Sequence, residues 1–184
     1  MDLAHDTQHA LLTVVDLVNT RASGSHPDRM AGLDDLTAFV ERREVSDAGA
    51  LGESDLAAVR RLRDRLLAIV LSEDVADAVR LVNDLVADGR TTPRLTDHDG
   101  WPLHMHYYAP DARVAEHLAA DCGMALAFVI AAGERQRLAV CAAPDCERVL
   151  VDLSRNRSKR YCDVGNCGNR MNVNAYRARR AASG

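Results

Sequence analysis

Two pairs of cysteines near the end of the chain, Cys141 with Cys146 and Cys162 with Cys167, have the types and spacing of metal ligands. A tetrahedral zinc ion takes four thiolates from two short loops held a fixed distance apart. Two Cys-x4-Cys loops separated by fifteen residues, each bracketed by turn formers and basic residues, supply them. A redox dithiol pair is the other chemistry open to such cysteines. One structural Zn2+ is the expectation, because a site closed by four thiolates keeps no open position for a reacting water.

Other residues able to do chemistry are fewer. His104 and His106 project to one side of an expected strand, and His5 and His9 share a helical face, so each pair offers two imidazole ligands. No third ligand stands at a recognisable spacing, and the competing reading is half-exposed polar surface. Gly-rich phosphate loops, Gly-x-Ser-x-Gly elbows and His-Glu-x-x-His are all missing, so no enzymatic activity is expected. The acidic pairs Asp34-Asp35 and Glu73-Asp74 fall at expected helix starts, where the helix dipole accounts for them. Asn19, Thr20 and Arg21 end an otherwise apolar helix, and Arg63 on a later helix is a candidate partner. These four make a candidate site for a small anionic effector; alternatively Asn19 only caps its helix and Arg21 is solvated.

The net charge of −4 conceals an asymmetry. From Arg148 onward nine basic residues face two acidic ones, which leaves an acidic body and a basic tail module suited to a polyanion. Part of that positive charge offsets the zinc thiolates. Apolar content is 47% and aromatics only 4%, so a core of Leu, Val and Ala is expected, which favours helices. The first residues lack a cationic stretch followed by an apolar run, and the apolar segment Met124 to Ala132 is short for a membrane span. A cytoplasmic protein with no membrane partner is the expectation, and there thiols stay reduced and favour metal over disulfides.

The elements that must position these groups follow from periodicity. Helices are expected over His9–Asn19, around Leu33–Val40 with Asp34 or Asp35 as cap, from Ser54-Asp55 to Ser72, and from Glu73 to Ala87 before Asp88-Gly89. Alternation around Asp97-His98-Asp99-Gly100 predicts a hairpin of residues 94–96 and 103–107. A long helix from Pro110-Asp111 to Ala132 is apolar on every side at its end, marks the centre of the core, and carries Cys122 as a packed thiol. The domain boundary falls at 137/138. Beyond it come a strand at 138–140, the first cysteine loop, a strand at 149–152, a basic loop, the second cysteine loop and a helix over 169–181. The fold class is thus mainly α: a helical N-terminal domain (1–137) with one β-hairpin, then a small treble-clef-like zinc finger (138–184) of two short strands and a helix. A linker this short makes the two parts pack together.

On the last helix Arg170, Asn174 and Arg177 form one polar stripe, with Val173 and Tyr176 on an adjacent face expected to pack on the finger. Arg and Asn suit base edges in a major groove, and the loop residues Arg155, Arg157, Lys159 and Arg160 suit phosphates. Double-stranded DNA is the expected partner. Docking on another protein is the alternative, with zinc serving only as a staple and Arg170 bracing the cysteine loop. Single-stranded RNA is disfavoured by the scarcity of aromatics, Tyr161 and Tyr176 alone.

Cys167-Gly168-Asn169-Arg170, together with Cys141-x4-Cys146-x-Arg148-Val149-Leu150-Val151-Asp152-x-Ser154-Arg155 and Arg160-Tyr161-Cys162, resembles the CGNR zinc-finger family. Upstream, Asp16-Leu17-Val18-Asn19-Thr20, Leu62-Arg63 and Leu81-Val82-Asn83 resemble the ABATE domain that usually precedes that finger. The chain departs from the finger pattern at Asn172, where a lysine is frequent, and at Tyr161, where many members have Trp. The resemblance implies a bacterial transcription regulator with a DNA-binding finger and a helical domain that senses a small molecule or forms a homodimer.

Overall fold

A computed structural model describes residues 4–23, 26–97 and 103–181. Five helices build the body: α1 (His5–Val18), α2 (Leu33–Arg42), α3 (Glu53–Leu71), α4 (Val75–Asp88) and α5 (Val114–Ala131). The starts of α2 to α5 are fixed by carboxylates that take orphan backbone N–H groups. Asp35 accepts from the Gly32 N–H at 3.0 Å, Asp55 from Gly52 at 3.0 Å, Asp74 from Asp77 at 2.8 Å and Glu116 from Arg113 at 2.9 Å.

The first helix starts one turn earlier than periodicity predicts, so that His5 and Asp6 join it. The last body helix starts at Val114 instead of Pro110, because Arg113 with its Glu116 acceptor makes the cap. α5 is long and apolar enough to cross a bilayer by length and composition, contrary to the expectation from sequence. Its apolarity has a different use here. Leu118, Cys122, Ala125, Leu126 and Val129 are buried in the core shared with α1, α3 and α4. Small residues allow the close approach of α4: a Cβ on Gly123 would come within 3.0 Å of Val86 Cγ2.

The expected hairpin is present as β1 (Arg94–Thr96) and β2 (His104–His106), antiparallel with Arg94 opposite His106 and Thr96 opposite His104. The turn expected at Asp97–Gly100 lies, from His98 on, outside the described residues.

The C-terminal part adds β3 (Leu138–Val140), β4 (Val149–Val151) and α6 (Cys167–Ala181). β3 and β4 pair antiparallel, with Leu138 opposite Val151 and Val140 opposite Val149. β4 is buried throughout, and its alternation divides it between two cores. Val149 and Val151 join the body core, while Leu150 joins a second, small cluster with Cys141, Ala143, Cys162 and Cys167. Two cores therefore share one strand.

Candidate metal centre

The ligand loops hang from that shared hairpin. β3 runs into Cys141, whose N–H bonds the Arg148 carbonyl at 2.8 Å, so the first loop, Cys141 to Cys146, closes the strand pair. Ala142 N–H bonds the Arg160 carbonyl at 2.8 Å and brings the second loop alongside. That loop, Cys162 to Cys167, turns through Asn166 at φ 48°, a left-handed conformation that asparagine tolerates, and delivers Cys167 as the first residue of α6. Gly165 is required there by space: a Cβ would lie 2.9 Å from Arg148 Nη1 and 3.0 Å from Cys167 Sγ.

The four sulfurs of Cys141, Cys146, Cys162 and Cys167 all lie within 4.8 Å of one another. Sγ of Cys162 stands 3.7 Å from both Cys146 and Cys167. A tetrahedral ion with Zn–S bonds of about 2.3 Å needs sulfurs roughly 3.8 Å apart, so the residues fit zinc as they stand. Among the described residues no other group brings three or more such ligand atoms together. Donors surround the sulfurs. The Cys162 N–H reaches Cys141 Sγ at 3.3 Å, and Arg170 Nη2 reaches Cys167 Sγ at 3.4 Å. Burial pushes the Cys146 thiol up to about 12, so its conversion to thiolate needs a cation in place of the proton. Held by all four cysteines, one zinc staples two loops whose own apolar cluster is only a handful of residues.

The basic residues divide into two sets. Arg170 grips Asp145 of the first cysteine loop through both oxygens, at 2.6 and 2.8 Å, so it ties the two ligand loops together. Lys159 Nζ bonds Asp163 at 2.7 Å, and Arg157 bonds Glu134 of the body at 2.5 Å. Asp152 shapes the loop between them by accepting from the Ser154 N–H at 2.8 Å and the Lys159 N–H at 2.7 Å. Burial alone would raise its pKa; these hydrogen bonds outweigh it and hold the carboxyl below its usual range. Arg155, Arg160, Asn174 and Arg177 are exposed and make no side-chain hydrogen bond or ion pair among the described residues.

α6 itself stands away from the finger. From Asn172 to Ala181 every residue is exposed, including Val173 at 46% and Tyr176 at 54%. The expected packing of these two on the finger is not found; Met171, nearer the start of the helix, makes the apolar contact instead.

The polar cluster at the end of α1 is built into the fold. The Asn19 side-chain amide donates to the Val149 carbonyl and accepts from the Val149 N–H, both at 2.9 Å, and so extends the hairpin edge into the body. Thr20 Oγ1 donates to the Leu17 carbonyl at 2.7 Å, and Arg63 bonds Thr20 Oγ1 at 3.3 Å and Asp28 at 2.8 Å. Asn19, Thr20 and Arg63 are buried, and Arg21 is half-buried beside them. Nothing in the local sequence discloses that Asn19 faces a strand 130 residues away.

Sequence reasoning missed the meeting of the histidines. His5 and His9 of α1, His104 and His106 of β2, and His117 of α5 line one cavity of ≈ 120 Å³, with Asp6 and Asp121 in its wall. His104 and His106 face each other, Nε2 to Nε2, at 2.8 Å. His117 Nε2 lies 3.1 Å from Asp121, whose other oxygen takes the Tyr107 N–H at 3.1 Å. Tyr108, buried and stacked on His117 at 3.5 Å between ring centres, anchors the hairpin through Ser46 and Asp47. Burial, and after it Arg43, lowers the pKa of His9. The two sequence pairs at i, i+4 and i, i+2 were the available signal; His117 had none.

Two family models match the chain. One is described as CGNR zinc finger and covers residues 137–180. The other is ABATE, described as "Putative stress-induced transcription regulator", over residues 12–133. No curated protein matches.

Proposed function

Because the chain belongs to the ABATE family and carries a CGNR zinc finger, we propose that it is a transcription regulator whose finger binds double-stranded DNA. The observation that supports this most is the set of exposed basic and polar side chains left over when the finger's internal ion pairs are made. The side chains of Arg155 and Arg160 on the loop, and of Asn174 and Arg177 on a projecting helix, make no hydrogen bond or ion pair among the described residues. α6, with a single buried residue, lacks the apolar stripe that would hold it to its own domain. A helix of its width fits a major groove, and the loop arginines then meet phosphates. Lys159 can exchange its exposed ion pair with Asp163 for a phosphate at little cost, whereas Arg157 is held by the buried Glu134. Arg170 remains the brace of the ligand loops.

With three to five phosphate contacts, log K should fall against log[salt] with a slope of about −3 to −4.5. Selection of genomic duplex fragments by the zinc-loaded protein at low salt tests the reading, with Cys162→Ser as the control that lacks a finger. Binding of no fragment sinks it. Changing Arg155, Arg160 and Arg177 to Ala should reduce the slope by about one for each contact removed.

The helical body supplies the sensing half, and its cavity favours sensing over dimerisation as the role of this domain. The protein works in the cytoplasm, where its thiols stay reduced, and performs no catalysis. A second reading, docking on a protein partner, draws on Val173 and Tyr176, which α6 leaves exposed. Val173→Ser with Tyr176→Ser would then abolish partner capture while leaving the salt slope on DNA unmoved.

A further inference from the structure

Arg148 is buried, at 8% exposure, whereas every other basic residue of the finger is exposed or half-buried. A charge taken out of water needs a counter-charge. The other buried arginines have one: Arg137 pairs with Glu134 at 3.0 Å and Arg63 with Asp28 at 2.8 Å. The Arg148 side chain makes no ion pair with a carboxylate among the described residues. What it meets is sulfur. One residue before β4, it falls on the side of Leu150, which packs in the cysteine cluster. A Cβ on Gly165 would stand 2.9 Å from Arg148 Nη1, 3.0 Å from Cys167 Sγ and 3.6 Å from Cys162 Sγ. The guanidinium and both sulfurs thus surround one methyl-sized gap that glycine leaves open.

Four thiolates carry more negative charge than one divalent ion cancels. Backbone donors such as the Cys162 N–H, 3.3 Å from Cys141 Sγ, supply dipoles and no net charge. Arg170 reaches Cys167 Sγ at 3.4 Å, but Asp145 engages its guanidinium through both oxygens. We propose that Arg148 is a positioning residue of the metal centre that balances its charge. The guanidinium supplies the cation that four metal-bound thiolates leave unmatched, and the thiolates supply the counter-ion that this buried arginine finds nowhere else. The pairing is strong because it is made largely out of water, where opposite charges are poorly screened. Arg148 therefore raises the affinity of the finger for zinc without being a ligand. The inference concerns the metal centre alone and holds whether or not the finger binds DNA.

Full-length, zinc-loaded protein is titrated with a chelator of known zinc affinity, wild type beside Arg148→Met and Arg148→Lys. Arg148→Met keeps an apolar stem without the charge, and Arg148→Lys keeps the charge without the planar fork. The first should weaken zinc binding at least tenfold, as loss of residues that support metal ligands does. The second should recover most of that loss, which a packing role for the side chain would not produce. With Co2+, the thiolate-to-metal charge-transfer absorption should be the same in all three, showing that no sulfur ligand has been lost. Wild-type affinity in Arg148→Met overturns the proposal, as does an Arg148→Lys protein that binds zinc no better than Arg148→Met. Should Arg148→Met misfold by far-UV circular dichroism, Arg148→Gln takes its place under the same two criteria.

Discussion

The body and the finger are held together by different physics on the two faces of one strand. On one face of β4, Val149 and Val151 enter a core of some thirty apolar side chains drawn from α1 to α5 and β3. On the other, Leu150 meets a cluster whose remaining buried members are Ala143 and three of the four zinc ligands. Removal from water accounts for the cohesion of the first, at roughly 25 cal/mol per Å² of apolar surface. The second buries too little for that and depends on an ion. The lesson is that the finger is not a module on a string: its hairpin is body core, and only its loops and α6 belong to the metal.

The largest effect should come from removing the ion. Chelation or Cys162→Ser withdraws an apparent binding free energy of about 10–16 kcal/mol. The ligand loops and α6 should lose amide-exchange protection while α1 to α5 retain theirs and still unfold cooperatively. Collapse of both parts together would show that the comparison is drawn too sharply. The converse experiment is Leu126→Ala on α5, a fully buried side chain at the centre of the body. It should cost about 2–5 kcal/mol in urea unfolding and leave the thiolate-bound metal in place, as read by cobalt charge transfer.

Asn19→Ala tests the seam. It orphans the N–H and the carbonyl of Val149, at about 1–3 kcal/mol for each group left unsatisfied. The Val149 amide should exchange faster, and Asn19→Asp should restore part of the loss, because a carboxylate still accepts from that N–H but cannot donate to the carbonyl. An Asn19→Ala protein of unchanged stability would mean that valine packing alone joins the two parts.

The smallest effect concerns pH and the body alone. Arg113, bonded to the buried Asp55 at 2.8 and 3.0 Å, holds that carboxyl below its usual range, with the Gly52 N–H assisting. A pKa depressed in the folded state stabilises above the unfolded value of about 3.9 and is lost as pH falls through the folded one. The urea midpoint of wild type should therefore drop between pH 5 and pH 3 by more than that of Asp55→Asn. Equal drops would remove Asp55 from the account.

Much of this was legible in the chain, for local reasons. Helix periods in α3 and α4, the acidic caps, the alternation at β2 and the short apolar run of β4 each follow from neighbours within a few residues. The cysteine spacing was enough to define a saturated metal site. Less legible was what distant segments do to one another. Arg170 reads as a base-contacting residue in its helical stripe and becomes a brace only because Asp145, 25 residues back, folds beneath it. Val173 and Tyr176 read as packing residues, yet the finger offers them no surface.

By itself the sequence determined the zinc ligands, the mainly helical body and the concentration of positive charge behind Arg148. Ligand type, periodicity and net charge are properties of short windows, and no tertiary arrangement changes them. Tertiary structure alone decided that Asn19 clamps β4, which arginines remain available to a polyanion, and that histidines from α1, β2 and α5 meet. Those facts depend on side chains brought together by burial of a core that none of them belongs to, and burial is set by the whole chain.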